Sequence, residues 1–313
     1  MTPALDALLA DRVGLAARRT RDQAQARDWQ NSAAYRHAIA TLEGPADDGA
    51  EAVAARAMRL LADGGWVADL LVPLVAALAA DPLAEPPFRV QRDALKLGAV
   101  LIDHPAASIT ATILSADALA GLPPAETIVV PGRMTVVRYH RGSGVLHLWR
   151  TAAAGDDFCA ANATPCLPAA AIALADGLVR RIDGRTHAQL VAPVSDVVTL
   201  TANIRAGAAL LSREYDRASG RFLRAAALDD WPSRAELMLT FLRHASRAEA
   251  AAAFEAASHD PAHFLRWAAM REWLAMDARA ALPRLRQMGD DPHPEVRAAA
   301  RAMIARLSAP CPD

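Results

Sequence analysis

Residues 127–150 read TIVVPGRMTVVRYHRGSGVLHLWR. Hydrophobicity alternates here with a period of two, and Gly-containing turns punctuate the alternation, the pattern of half-buried strands. Pairing residues 134–140 with 145–150 across Arg-Gly-Ser-Gly predicts a hairpin that sets His140 against Val145. In that register Arg138 faces His147, and Val136 faces Trp149. Successive strand residues point to opposite faces, so Val137, Tyr139, Leu146 and Leu148 fall together on one uniformly apolar side. That side is the expected core. Arg138, His140 and His147 then share the other face, beside Trp149.

The same pattern extends outward. Residues 97–102 and 109–114 read as two strands around a turn, and 155–168 as a loop. Residues 178–182 and 185–191 suggest a second hairpin over Asp183-Gly184, with a further strand at 194–204. Residues 210–215 and 220–226 suggest a third hairpin. About eight to ten short antiparallel strands argue a barrel or sandwich and not a doubly wound sheet.

Both flanks read as helix. Residues 1–45 carry an apolar stripe at Leu5, Leu8, Leu9, Val13 and Leu15 before a polar stretch. Residues 50–62 and 66–80 form a predicted helical hairpin whose seam is Leu60, Leu61, Leu70, Leu71, Leu74, Val75 and Leu78. The proline-rich residues 81–87 mark a boundary. Helical periodicity returns at Ser233, where Ser233 and Glu236 suggest a capping box, and 233–245 with 248–258 suggest a hairpin. A repeat follows. Asp260-Pro261 recurs as Asp291-Pro292, Leu265-Arg266 as Val296-Arg297, and Ala268-Ala269 as Ala299-Ala300, all at one interval. The expected fold class is α+β in three segments: helices over 1–87, an antiparallel β-domain over 88–228, and helical hairpins over 229–313.

The last copy, DDPHPEVRAAARAMIARL, resembles a HEAT repeat on Asp291, Pro292, Val296, Arg297 and Ala300. The resemblance covers about residues 229–307; it implies contact with a protein partner and a structural role for Arg297. The middle region resembles a cupin-type barrel, with short antiparallel strands, a Gly-containing hairpin and a DGR turn before a hydrophobic strand. Metal-binding members of that family carry His-x-His, a glutamate and a later histidine. Here His140 and His147 lie on the expected facing strands, and His187 in GRTHAQLV stands where the later histidine falls. Neither of the first two begins His-x-His, and TAAAGDD from Thr151 supplies no glutamate at family spacing. Three such imidazoles imply a divalent transition ion as cofactor.

Composition bounds the function. The chain has 313 residues, 53% of them apolar and 22% charged, with a formal net charge of −1. That balance gives no pull toward nucleic acid or an anionic membrane surface. The start of the chain lacks a signal-peptide pattern, and the longest apolar run, residues 66–80, is too short to span a bilayer. A cytoplasmic protein is expected. Cys159, Cys166 and Cys311 match no zinc or redox spacing and read as free thiols. No nucleophile elbow, phosphate loop, dinucleotide fingerprint or HExxH motif occurs. Candidate ligand residues are Arg138, His140, His147, Trp149, Arg180 and His187, with Arg181 and Arg185 adding cationic donors suited to a carboxylate or phosphate. The leading expectation is a non-catalytic binding or adaptor protein, with helical repeats on a protein partner and a small ligand on the β-domain. The alternative is a divergent metal-dependent enzyme using His140, His147 and His187. A homodimer formed through the barrel is a third reading.

Overall fold

The computed structural model describes residues 11–308, apart from Pro82 and residues 246–247. Leu5, Leu8, Leu9 and Cys311 lie outside the described residues. The chain opens with α1 (Arg12–Asn31) and α2 (Ala33–Leu42), separated at Ser32, whose backbone is extended and whose hydroxyl accepts from Tyr35 N–H to cap α2. Then come α3 (Ala50–Ala62) and α4 (Gly65–Ala80). The expected seam of this pair is buried at Leu60, Leu61, Leu70 and Leu74, whereas Val75 faces solvent.

Twelve strands and one short helix follow: β1 (Val90–Arg92), β2 (Lys96–Asp103), β3 (Ala107–Leu114), α5 (Ala116–Ala120), β4 (Thr127–Val130), β5 (Met134–Arg141) and β6 (Gly144–Arg150). Next are β7 (Leu167–Leu174), β8 (Leu178–Asp183), β9 (His187–Pro193), β10 (Val197–Ile204), β11 (Leu211–Asp216) and β12 (Phe222–Ala227). They form three antiparallel sheets, ordered β1-β2-β3-β10-β5-β8, β12-β11-β4 and β7-β6-β9. The expected β2–β3 and β11–β12 hairpins are present.

The two central hairpins are not. β5 pairs with β10 and β8, while β6 pairs with β7 and β9. Arg138 therefore lies across from Val179 and Leu200, and His147 across from Ala171 and Leu190. The reason is local. Gly142 and Gly144 adopt φ of 116° and 153°, and the chain steps from one sheet to the other instead of folding back. The turn at Asp183-Gly184 crosses in the same sense, carrying β8 in one sheet to β9 in the other. β7 takes up the last two residues of the expected 155–168 loop and runs on through Ala169, Ala170 and Ala171, which carry no strand signature of their own.

The apolar half of the face assignment survives this change of partners, whereas His147 lies in a different sheet from Arg138 and His140 and shares no face with them. Val137, Tyr139 and Leu146 are buried in one cluster with Leu174, Ile182 and Val197, and Leu148 packs against it. That cluster fills the space between the six-stranded and the β7-β6-β9 sheets. Its neighbour joins Ile128 and Val130 of β4, Trp149, Cys166, Ala188 and Tyr215. The opposite face of the six-stranded sheet is also apolar, at Met134, Val136, Leu200, Ala202 and Ile204, and shares one core with α1–α4.

The C-terminal part consists of α6 (Asp230–His244), α7 (Ala251–Ala257), α8 (His263–Met288) and α9 (Pro294–Ser308). α6 begins before the expected capping box, at the Asp229 cap, whose carboxylate accepts from Trp231 N–H. α8 is two helices joined at a break, with Asp277 at φ −149°. These helices have their own core, including Leu239, Phe254, Leu265, Trp273, Leu285 and Val296.

Candidate functional site

The space between the sheets offers little chemistry. Its central cluster is aliphatic apart from Tyr139, whose hydroxyl burial pushes up to about 12 against the pull of Arg180. Burial likewise pushes the Cys166 thiol up to about 11, although Arg213 and a backbone hydrogen bond with Ala188 act the other way. Neither group ionises near neutral pH. Cys159 and Cys166 are both free thiols. Arg213 is 2% exposed and donates to the carbonyls of Ala152 at 3.0 Å and Arg185 at 2.7 Å, and to the Tyr215 hydroxyl at 3.1 Å. Its guanidinium also lies 5.2 Å from the Phe158 ring centre. Three acceptors satisfy it, and it ties β11 to the loop after β6 and to the turn between β8 and β9.

The candidate ligand residues are scattered. Arg138 lies under the helical cover, where it donates to the Leu61 carbonyl at 3.0 Å and the Ala62 carbonyl at 2.7 Å, closing the C-terminus of α3. His140 is exposed at the end of β5. His147 is half-buried in the other sheet, its ring centre 6.1 Å from that of Trp149, which is itself buried and covered by Arg217 at 5.7 Å. The His187 Nδ1 is 2.9 Å from the Thr186 hydroxyl and 3.2 Å from the Asp183 carbonyl. Arg180 is exposed; Arg181 is ion-paired with Glu51 of α3, and Arg185 with Asp183 at 2.8 Å. The arginines therefore do not form a cationic patch around Trp149.

The three imidazoles do not converge. In the β6–β9 register His147 opposes Leu190 and Arg150 opposes His187, so the two histidines are three positions apart. An odd offset sends their side chains to opposite faces, about 10 Å apart along the strand. His140 belongs to the other sheet. Among the described residues one group of His, Cys, Asp and Glu side chains is close enough to share an ion, and it is His263, His293 and Glu295 in the C-terminal helices. Sequence reasoning passed over this group. The signal for it was present in the repeat, which sets Ala262 where His293 recurs and His263 where Pro294 recurs. Stacked copies therefore bring the two histidines side by side.

Two features present apolar side chains, one to a cleft and one to solvent. One is a cleft of about 330 Å³ between α4 and the outer face of the six-stranded sheet, lined by Val67, Leu71, Leu101, Ala111, Ile113 and Leu200, with His140 at its rim. The other is α6, whose Leu239 packs inward while Trp231, Leu237, Met238 and Phe241 are 62%, 70%, 58% and 63% exposed. Among the described residues no single helix is long and apolar enough to cross a membrane.

No family model matches the chain, and no curated protein matches it. Solved structures similar to parts of it include the capsular polysaccharide assembling protein CapF from Staphylococcus aureus, at 14% identity over 46% of this chain and 33% of that one, with a TM-score of 0.26. A structure of the DMSP lyases RdDddP and RnDddQII is 18% identical over 61% of this chain and 94% of that one, with a TM-score of 0.27. A sugar phosphate isomerase from a cupin superfamily, from Silicibacter pomeroyi, is 10% identical over 45% of this chain and 85% of that one, with a TM-score of 0.18. The chain thus spans about a third of CapF, and these low-identity likenesses assign it no activity.

Proposed function

We propose that this is a binding protein that docks a protein partner on its C-terminal helices and holds a small apolar ligand on its cupin-like β-domain. The observation that carries the reading is α6. One helix buries Leu239 inward and leaves Trp231, Leu237, Met238 and Phe241 in water. Soluble chains rarely leave contiguous large side chains uncovered, and such patches mark interaction surfaces. The HEAT-like reading fits the same segment. Arg266 donates to the Asp260 and Pro261 carbonyls, and Arg297 to those of Asp291 and Pro292, so equivalent arginines tie equivalent turns. Stacks of this kind bind partners across extended surfaces. The small-ligand part rests on the cleft beneath α4, whose lining is aliphatic with one imidazole at the edge.

A photo-crosslinking residue placed at Met238 in the source cells tests the partner. The expected result is one discrete adduct that disappears when Leu237→Glu and Phe241→Glu are combined in the same chain. Adducts that are absent, or that persist in the charged variant, overturn the docking role. Sedimentation of the purified protein tells a second copy of this chain from another protein.

A further inference from the structure

His263 opens α8 and His293 immediately precedes α9. Their rings stack with centres 3.6 Å apart and planes 3° apart. One ligand atom from each, with a carboxylate oxygen of Glu295, all lie within 4.8 Å of one another. His293 is 1% exposed, and its Nε2 is 3.1 Å from the Phe158 carbonyl oxygen. A carbonyl only accepts, so Nε2 carries the hydrogen. In the neutral ring Nδ1 then holds a bare lone pair. That nitrogen is buried and has no hydrogen-bond partner.

One ring nitrogen fixed on a carbonyl and the other left as a lone pair is the arrangement that metal-ligating histidines use. We propose that His263, His293 and Glu295 bind a divalent first-row transition ion, Zn²⁺ foremost, with solvent at the remaining position. Two imidazoles and a carboxylate suit a borderline ion, and three protein ligands leave a tetrahedral site one place open. Parallel rings aim their lone pairs side by side, so binding turns one ring. His293 is anchored by Phe158, and the half-buried His263 is the one that moves. Glu295 is exposed and free to follow. The nearby Arg266 charge is met by Asp291 through bonds of 2.9 and 2.7 Å. A bound ion joins the two repeat copies and, through the second nitrogen of His293, the β-domain loop at Phe158.

Zn²⁺ uptake by the tag-free, full-length protein, measured by equilibrium dialysis with elemental analysis, is the test. Visible absorption of the Co²⁺-loaded protein gives a second readout. The wild type is expected to bind one ion per chain. His263→Ala with Glu295→Gln leaves the buried His293 in place, and circular dichroism checks its fold. That double variant is expected to bind at least about tenfold more weakly and to lose the Co²⁺ bands. A wild type that takes up no Zn²⁺, or a folded double variant that binds it equally well, overturns the assignment.

Discussion

Arg138 illustrates how one side chain changes meaning once its surroundings are known. As a cation alternating with apolar residues on β5, it has the pattern of a ligand-facing residue on a barrel wall. Its guanidinium instead meets the carbonyls of Leu61 and Ala62, where α3 ends and no intrahelical donor remains. A positive charge at that end is favoured by the helix dipole as well. Arg138→Leu removes the donor from a half-buried and an exposed carbonyl, and the expected loss of stability is about 1–2 kcal/mol, read from urea unfolding. Arg138→Lys should recover part of it through a single ammonium donor. Unchanged stability in the leucine variant would return Arg138 to the candidate ligand set.

At the scale of elements, the Arg-Gly-Ser-Gly segment decides which strands meet. A Cβ at Gly144 would collide with the Ala192 carbonyl oxygen, and one at Gly142 with the Asp196 carbonyl oxygen, both backbone atoms that cannot swing away. Their φ values of 153° and 116° disfavour any side chain on their own account. Gly144→Ala is expected to destabilise the protein by about 2–4 kcal/mol, lowering its thermal midpoint while leaving secondary structure in place. A neutral effect would mean that the crossing between sheets is more tolerant than its contacts require. This crossing also explains what was legible beforehand. Period-two alternation fixes which side chains share a face, and Val137, Tyr139 and Leu146 did end in one cluster. It does not fix partners, because a strand keeps its alternation whether the next turn folds back or passes to the other sheet. The histidine site failed at that step: His140, His147 and His187 were visible as residues, but their convergence depended on a pairing absent from the fold. His263 opens one helix and His293 directly precedes the next, so their juxtaposition follows from the packing of those helices and from no local period.

At the scale of the whole molecule, the distribution of cores does not follow the proline-rich linker at residues 81–87. Trp29, Leu42, Leu61, Leu70 and Leu74 from the N-terminal helices are buried in the same cluster as Met134, Val136, Leu200 and Ile204 from the six-stranded sheet. Removing those helices would uncover one whole apolar face of a sheet whose other face is already buried. The C-terminal helices instead enclose a core of their own. They reach the β-domain through limited contacts, such as the His293 bond to the Phe158 carbonyl. Cooperative units follow contiguous cores, so two are expected, over residues 11–228 and 229–308, and not three. A chain ending at Leu228 should be soluble and unfold in one cooperative transition, although α6 no longer covers the edge near β12. A chain starting at Phe88 should aggregate or expose dye-binding apolar surface, because Val136 and Leu200 lose their cover. Expressing both truncations and following their unfolding by circular dichroism checks this. A soluble, cooperatively folding chain from Phe88 would make the N-terminal helices a separable domain, as the linker composition implied.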